Sequence, residues 1–161
     1  MTTARAITGF HLDDVGDWVA ELACGHNQHV RHQPPFQERP WVLSEEGRRG
    51  RLGLPLECPL CDRNEMPEGL RFVRDTPEWT HDTLPEGLRR SHRVADDTWG
   101  EVHLLEGTVT FVFESEPART LTLDPNDPPL AIPPGVLHHV EPSSSARLYL
   151  SFYGVARSIA P

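Results

Sequence analysis

A chain of 161 residues, 37% hydrophobic and 24% charged, is long enough for one domain or two small ones and has the composition of an ordinary soluble fold. Its formal charge of −9 divides into −3 over residues 1–65 (seven Arg against ten acids) and −6 over 66–161 (eight Arg against fourteen acids). Neither half has the basic footprint that a phosphate backbone demands, so nucleic acid is excluded as an expected partner. No apolar run is long enough to span a bilayer, and Met1-Thr2-Thr3-Ala4-Arg5 carries no signal core; together they predict a cytoplasmic protein with no membrane partner.

Sixteen prolines and twelve glycines favour short strands and frequent turns over long helices. Residues 7–11 and 17–23 alternate in polarity, and Asp13-Asp14-Val15-Gly16 between them reads as a hairpin turn. The second strand runs into Cys24-Gly25-His26, where Gly25 permits the bend that a metal knuckle needs. Residues 29–35 can be extended but not helical, because Pro34-Pro35 follows. Ser44 offers an N-cap and Glu45-Glu46 first-turn acids for a short helix toward Gly53. Cys58-Pro59-Leu60-Cys61 closes this half, and residues 62–65 read as a linker.

All three cysteines fall in these two short motifs. A Cys-x-His and a Cys-x-x-Cys supply four donors, which is what a structural Zn²⁺ requires; three scattered reduced thiols would be the plain alternative. Cys24, Cys58 and Cys61 are three ligands, and the fourth lies between His26 and His29. A Cys-x-His paired with Cys-Pro-x-Cys is similar to one of the two zinc sites of RING-type modules, which favours His26. Four protein ligands make a closed site, and closed sites stabilise folds rather than activate water. His32 belongs with Arg31 and Arg39 in a basic loop suited to a small anion or a protein partner.

From residue 66 onward the pattern is strand after strand, over 70–74, 88–94, 99–105, 108–114, 119–123, 130–133, 137–141 and 147–153. The clearest has Val109, Phe111 and Phe113 alternating with Thr108, Thr110 and Val112. Glu106-Gly107 and Pro133-Pro134-Gly135 punctuate the series, predicting an all-β sandwich or barrel of the jelly-roll kind. There is no P-loop lysine and no Gly-x-Ser-x-Gly elbow, and no catalytic residue is assigned.

Residues 7–62 resemble a small bacterial family of uncharacterised zinc-binding-type domains, DUF3565. The resemblance is carried by Gly9-Phe10-His11, Trp18-Val19-Ala20, Cys24-Gly25-His26, Gln28-His29-Val30-Arg31-His32, Pro34-Pro35, Arg39-Pro40-Trp41-Val42, Cys58 and Cys61. Residues 66–156 resemble the cupin-like domain found at the N-terminus of tellurite-resistance protein B, DUF1971. Here the matching residues run through Pro77-Glu78-Trp79-Thr80, Leu84-Pro85, His92, Thr98-Trp99-Gly100, Leu105-Glu106-Gly107, Pro133, His138, Val140-Glu141 and Phe152-Tyr153. The second resemblance implies a double-stranded β-helix with a metal site inside. It does not imply methyl transfer, because the methyltransferase half of that protein has no counterpart here.

Pro133-Pro134-Gly135-Val136-Leu137-His138 resembles the second cupin motif, while the first is reduced to His92 with Gly100 near the place of its glutamate. Two imidazoles can hold Zn, Fe, Ni or Mn if a carboxylate or water completes the shell, and Glu141 is expected beside them; otherwise His92 and His138 are polar residues of a solvent-filled barrel mouth. His103 is a further inward candidate, and His139 should face away from His138.

The expectation is therefore a mainly β protein. A small zinc-stabilised β-hairpin module spans 1–65, and a double-stranded β-helix (cupin, jelly-roll) barrel that holds a second divalent metal spans 66–161. Its expected role is stress-related binding or sensing of a small molecule or oxyanion, as a homodimer that covers an open sheet edge. A metal-dependent cupin enzyme and a protein-interaction scaffold are the rival readings.

Overall fold

The first hairpin sets the layout of the N-terminal half in the computed structural model, which describes residues 3–156. Strand β1 (Ala4–Leu12) turns back into β2 (Trp18–Leu22) through a loop held by one side chain: Asp13 Oδ1 accepts from the amides of Val15 at 3.0 Å and Asp17 at 2.9 Å. With β3 (Asn27–His29) and β4 (Pro55–Glu57) these form a four-stranded sheet in the order β3-β2-β1-β4. The sheet buries Ile7, Val19, Ala20 and Leu22, and Val30 and Val42 outside the strands are buried as well.

The helices in this half are single turns. Ser44 caps α1 (Glu45–Arg49) by accepting from the Gly47 amide at 3.0 Å, and the helix stops at Gly50, short of the expected Gly53. Helix α2 (Pro59–Asp62) starts on a proline, whose missing N–H costs nothing in a first turn. Asp62, expected in the linker, ends this helix and accepts from the Thr3 amide at 2.9 Å. The chain divides between Arg63 and Asn64 into two compact units.

The second unit contains β5 (Arg71–Asp75), β6 (Trp79–Thr80), α3 (Glu86–Arg89), β7 (Thr98–Glu106), β8 (Val109–Phe113), β9 (Arg119–Leu123), β10 (Leu130–Ile132), β11 (His138–Pro142) and β12 (Arg147–Gly154). One sheet has the order β10-β7-β12-β5, with β6 also on β12; the other has the order β11-β8-β9. Both contribute to a single core: Val102, Ile132, Leu148 and Leu150 from the first, Val109, Phe111, Phe113 and Val140 from the second. The expected alternation in β8 is observed, with Val109, Phe111 and Phe113 buried and Thr110 and Val112 half-buried. Strands dominate both units, so the chain is mainly β.

One expected strand is absent. Over 88–94 the structure has the end of α3 and an extended segment that makes a strand-type bridge at His92, with His138. Pro85, at φ −56°, precedes a four-residue helix that places Leu88 against the core. Among the described residues no helix is long and apolar enough to cross a membrane.

Candidate metal centre

The first knuckle forms where β2 ends. The Gly25 amide donates to Leu22 O at 2.9 Å and the Leu22 amide to His26 O at 2.9 Å, closing a tight loop in which Gly25 has φ +95°. A side chain at that φ would be strained, which accounts for glycine between Cys24 and His26. The second knuckle follows β4: the Cys58 amide donates to Thr3 O at 2.8 Å, and Cys58 is the N-cap residue of α2. The Cys61 amide then donates back to Cys58 O at 3.1 Å. Because β2 and β4 lean on β1 from opposite sides, the two knuckles emerge at one end of the sheet.

They meet there. Cys24, His26, Cys58 and Cys61 each present a ligand atom within 4.8 Å of all the others. His26 Nδ1 lies 3.4 Å from Cys24 Sγ, 3.3 Å from Cys58 Sγ and 3.6 Å from Cys61 Sγ, and Cys24 Sγ lies 3.8 Å from Cys58 Sγ. Tetrahedral zinc with ordinary bond lengths separates two sulfurs by about 3.8 Å and a sulfur from a nitrogen by about 3.5 Å. The donor types and spacings therefore fit Zn²⁺ and its coordination number. All four residues are buried, the most exposed being His26 at 4%. Burial lowers the His26 pKa, but hydrogen bonds to Cys24 and Cys58 outweigh it and raise it to about 9. Hydrogen bonding to Cys24 and Cys58, with burial, raises Cys61.

His29, the alternative fourth ligand, is elsewhere. It lies on the exposed part of β3 with Nε2 3.0 Å from Asp13 Oδ2. The basic loop is also committed internally: Arg31 Nε donates to Asp17 at 3.0 Å, and His32 Nδ1 accepts from the Arg39 amide at 2.9 Å.

In the second unit His92 and His138 come together. Each donates its backbone N–H to the other's carbonyl at 2.9 Å, and their rings lie 4.2 Å apart between centroids. His92 Nδ1 pairs with Arg90 O at 2.8 Å and His138 Nδ1 with Val136 O at 2.9 Å, contacts that put the proton on Nδ1 and leave the Nε2 lone pair for another group. His138 is 1% exposed and packs near Phe111 and Phe113. Burial is the main reason its pKa falls to about 4, and nearby His92 lowers it further.

Glu141, expected beside this pair, is not there. Positions 138 and 141 differ by an odd number, so a pleated strand places them on opposite faces. Glu141 is exposed and reaches His139 Nε2 at 3.3 Å, while His139 Nδ1 meets Glu114 at 2.5 Å. The carboxylate sequence reasoning missed is Glu114, which also accepts from Ser91 Oγ at 2.5 Å; only the β8–β11 register, His138 opposite Phe113, brings it near. His103 does not face the core either. It stacks on Tyr149 at 4.5 Å, with Nε2 2.9 Å from Glu101. Among the described residues the four-residue cluster in the first unit is the one group that combines three or more such ligands.

With this geometry in view, the chain is a Cys₃His module joined to a β domain that shares a core between two sheets. Residues 8–65 match the family described as a protein of unknown function, DUF3565, and residues 74–150 match the TehB-like domain. No curated protein matches the chain. The crystal structure of TehB from Haemophilus influenzae is similar at 26% identity and a TM-score of 0.51, over 55% of this chain and 32% of that one. This chain thus spans about a third of that TehB. A protein from Escherichia coli strain K12 shares the fold at 16% identity and a TM-score of 0.53, over 58% of this chain and 98% of that one.

Proposed function

We propose that this protein is a small-ligand binding or sensing protein of the tellurite-resistance type, folded at its N-terminus around one structural zinc. In this reading residues 1–65 are the zinc module. Residues 66–161 are a double-stranded β-helix, a cupin-type jelly roll, serving the response to metal oxyanions or to oxidative or nitrosative stress. The observation that carries the first half is the buried Cys₃His tetrahedron. The second half is supported by the TehB-like match and by the two sheets that share one core.

Zinc would be held by Sγ of Cys24, Cys58 and Cys61 and by Nδ1 of His26. It would supply folding energy, because four protein ligands leave no position for water or substrate. The chain's own contribution is to form both knuckles from opposite flanks of β1, so that the ligands converge only when the sheet has formed.

In the β domain, ligand binding is favoured over catalysis. His92 and His138 present two Nε2 lone pairs, and a metal there needs the rest of its shell from the ligand or from water. The test is elemental analysis of native-purified protein and of Cys24→Ser and His138→Ala variants. One zinc per chain, lost from the first variant and kept in the second, is expected. Zinc-free native protein with three titratable thiols would end the proposal. Calorimetry with Fe²⁺, Ni²⁺, Mn²⁺ and further Zn²⁺ then asks whether the imidazole pair takes a second ion; unchanged binding in His138→Ala would exclude that site.

A further inference from the structure

The core of the second unit opens onto a cavity beside α3, β5 and β6. Leu150 of β12 is 7% exposed and belongs to that core, while Trp79 of β6, Leu88 of α3 and Phe152 of β12 pack against it half-buried. With Arg74 and Thr76 they line a space of about 230 Å³, and His92 and His138 are not among its walls.

Sheet register explains the grouping. Phe152 stands opposite Arg74 of β5, and Leu148 opposite Trp79 of β6, so β12 sets β5 and β6 side by side. Residues two apart on a strand share a face, which puts Leu150 with Phe152 and Thr76 with Arg74.

The walls offer one charge. Arg74 lies over the Phe152 ring, with Cζ 4.9 Å from the centroid, and among the described residues no acceptor pairs with its guanidinium N–H groups. A guanidinium stacked on a ring covers one of its flat faces and keeps its in-plane donors at the edge. Thr76 is already committed: its Oγ1 donates to Pro77 O at 2.9 Å and accepts from the Leu150 amide at 3.0 Å.

These features define the occupant. The space equals about eight waters of the liquid at ~30 Å³ each, which suits a single ring or a short branched chain. A neutral apolar molecule would fill it but leave Arg74 unpaired. A fully charged oxyanion would pair with Arg74 but press its other oxygens on Leu88, Leu150 and Phe152, which have no donors. A carboxylate matches the planar fork with both oxygens and carries its charge at one end only. We propose that this cavity binds a small aromatic or branched apolar monocarboxylate, with its body against Trp79, Leu88 and Leu150 and its carboxylate on Arg74. The inference rests on the ligand-binding reading of the β domain, to which it adds a site apart from the imidazole pair and a class of ligand.

The experiment titrates the full zinc-loaded chain with benzoate, with benzamide as its uncharged counterpart and acetate as the carboxylate without a ring. Two-dimensional NMR reads the Trp79 indole N–H, the Arg74 Nε–H and the Leu88 methyls. Benzoate should shift all three saturably, and benzamide and acetate should bind at least about tenfold more weakly, the loss expected when a charged pair or the buried ring is removed. Arg74→Gln should erase the preference for benzoate over benzamide, and Arg74→Lys should restore part of it. Arg74 is exposed on its strand, and melting temperatures check that both variants fold. An arginine with a structural role alone would change the melting temperature and leave the preference intact, which would overturn the proposal. So would shifts centred on the His92 and His138 rings, which would keep the ligand-binding reading and move the ligand to the imidazole pair. No saturable shift by benzoate, with an ion still taken up by that pair, overturns this site alone. Loss of both responses overturns the ligand-binding reading as well.

Discussion

Cys58 Sγ lies 3.3 Å from His26 Nδ1 although 32 residues separate them in the chain. The contact exists because β1 is flanked by β2 on one side and β4 on the other, so the residues that follow those two strands leave the sheet at the same end. The helices and loop between His26 and Cys58 add little to that convergence; sheet register determines it.

Removing the metal should therefore unfold the first unit and spare the second. Metal binding in a site of this kind is folding energy, of order 10–16 kcal/mol for structural zinc. Chelation, or Cys61→Ser, is expected to abolish the dispersed amide spectrum of residues 3–63 while leaving that of the β domain. A two-dimensional NMR spectrum with and without chelator checks this. Retention of the N-terminal signals after complete zinc removal would contradict it.

His26→Ala should release zinc, whereas His29→Ala should not. His26 is 4% exposed and faces all three sulfurs, while His29 is exposed and paired with Asp13. Replacing His29 removes a surface ion pair worth at most about 1 kcal/mol. Zinc content after dialysis against a weak chelator separates the two. The reverse pattern would transfer the ligand role to His29.

Gly107→Ala should destabilise the second unit far more than Gly69→Ala. Both glycines have positive φ, +73° and +78°. A Cβ on Gly69 would meet nothing within 4 Å, so only backbone strain of about 1 kcal/mol is added. On Gly107 it would lie 2.7 Å from the Ala146 amide nitrogen and from Ser145 C, backbone atoms that cannot swing away. The expected total is about 2–4 kcal/mol. Urea unfolding followed by Trp99 fluorescence measures the difference, and equal losses would show that the tight β7–β8 turn yields.

Stability should fall on acidification in a window that His138 defines. Burial holds its folded pKa near 4, below the ordinary value of 6.5. The unfolded chain therefore takes the proton first. The contribution of neutral His138 is fully present above about pH 6.5 and is lost as pH drops toward 4, by a few kcal/mol at most. Urea midpoints for wild type and His138→Phe at pH 7, 5.5 and 4.5 should converge as pH falls. A constant gap would mean that His138 does not titrate in this range.

The sequence alone carried the residues of the candidate metal centre. Cysteine and histidine are chemically scarce, and spacings of two and three residues confine them to knuckles whatever the surrounding fold, so Cys24, Cys58 and Cys61 could be read from the chain. The strands of the second half were legible for a similar reason. A period of two in Val109, Phe111 and Phe113 has one physical meaning on a half-buried sheet.

What lay beyond the sequence depended on register between distant strands. His26 and His29 both suit a metal by type, and only the path of β3 aims one inward and the other at Asp13. Glu141 lies close to His138 in sequence but on the opposite face, where it meets His139 together with Glu114, the residue that follows β8. The segment 88–94 looked like a strand because its apolar residues are compatible with two periodicities; packing of Leu88 against the core places its first two residues in the end of α3, and the rest is extended with a bridge at His92. Local chemistry is written in neighbouring residues, but the meeting of two side chains from separate strands is decided by hydrogen-bond register, which a single chain read in order does not contain.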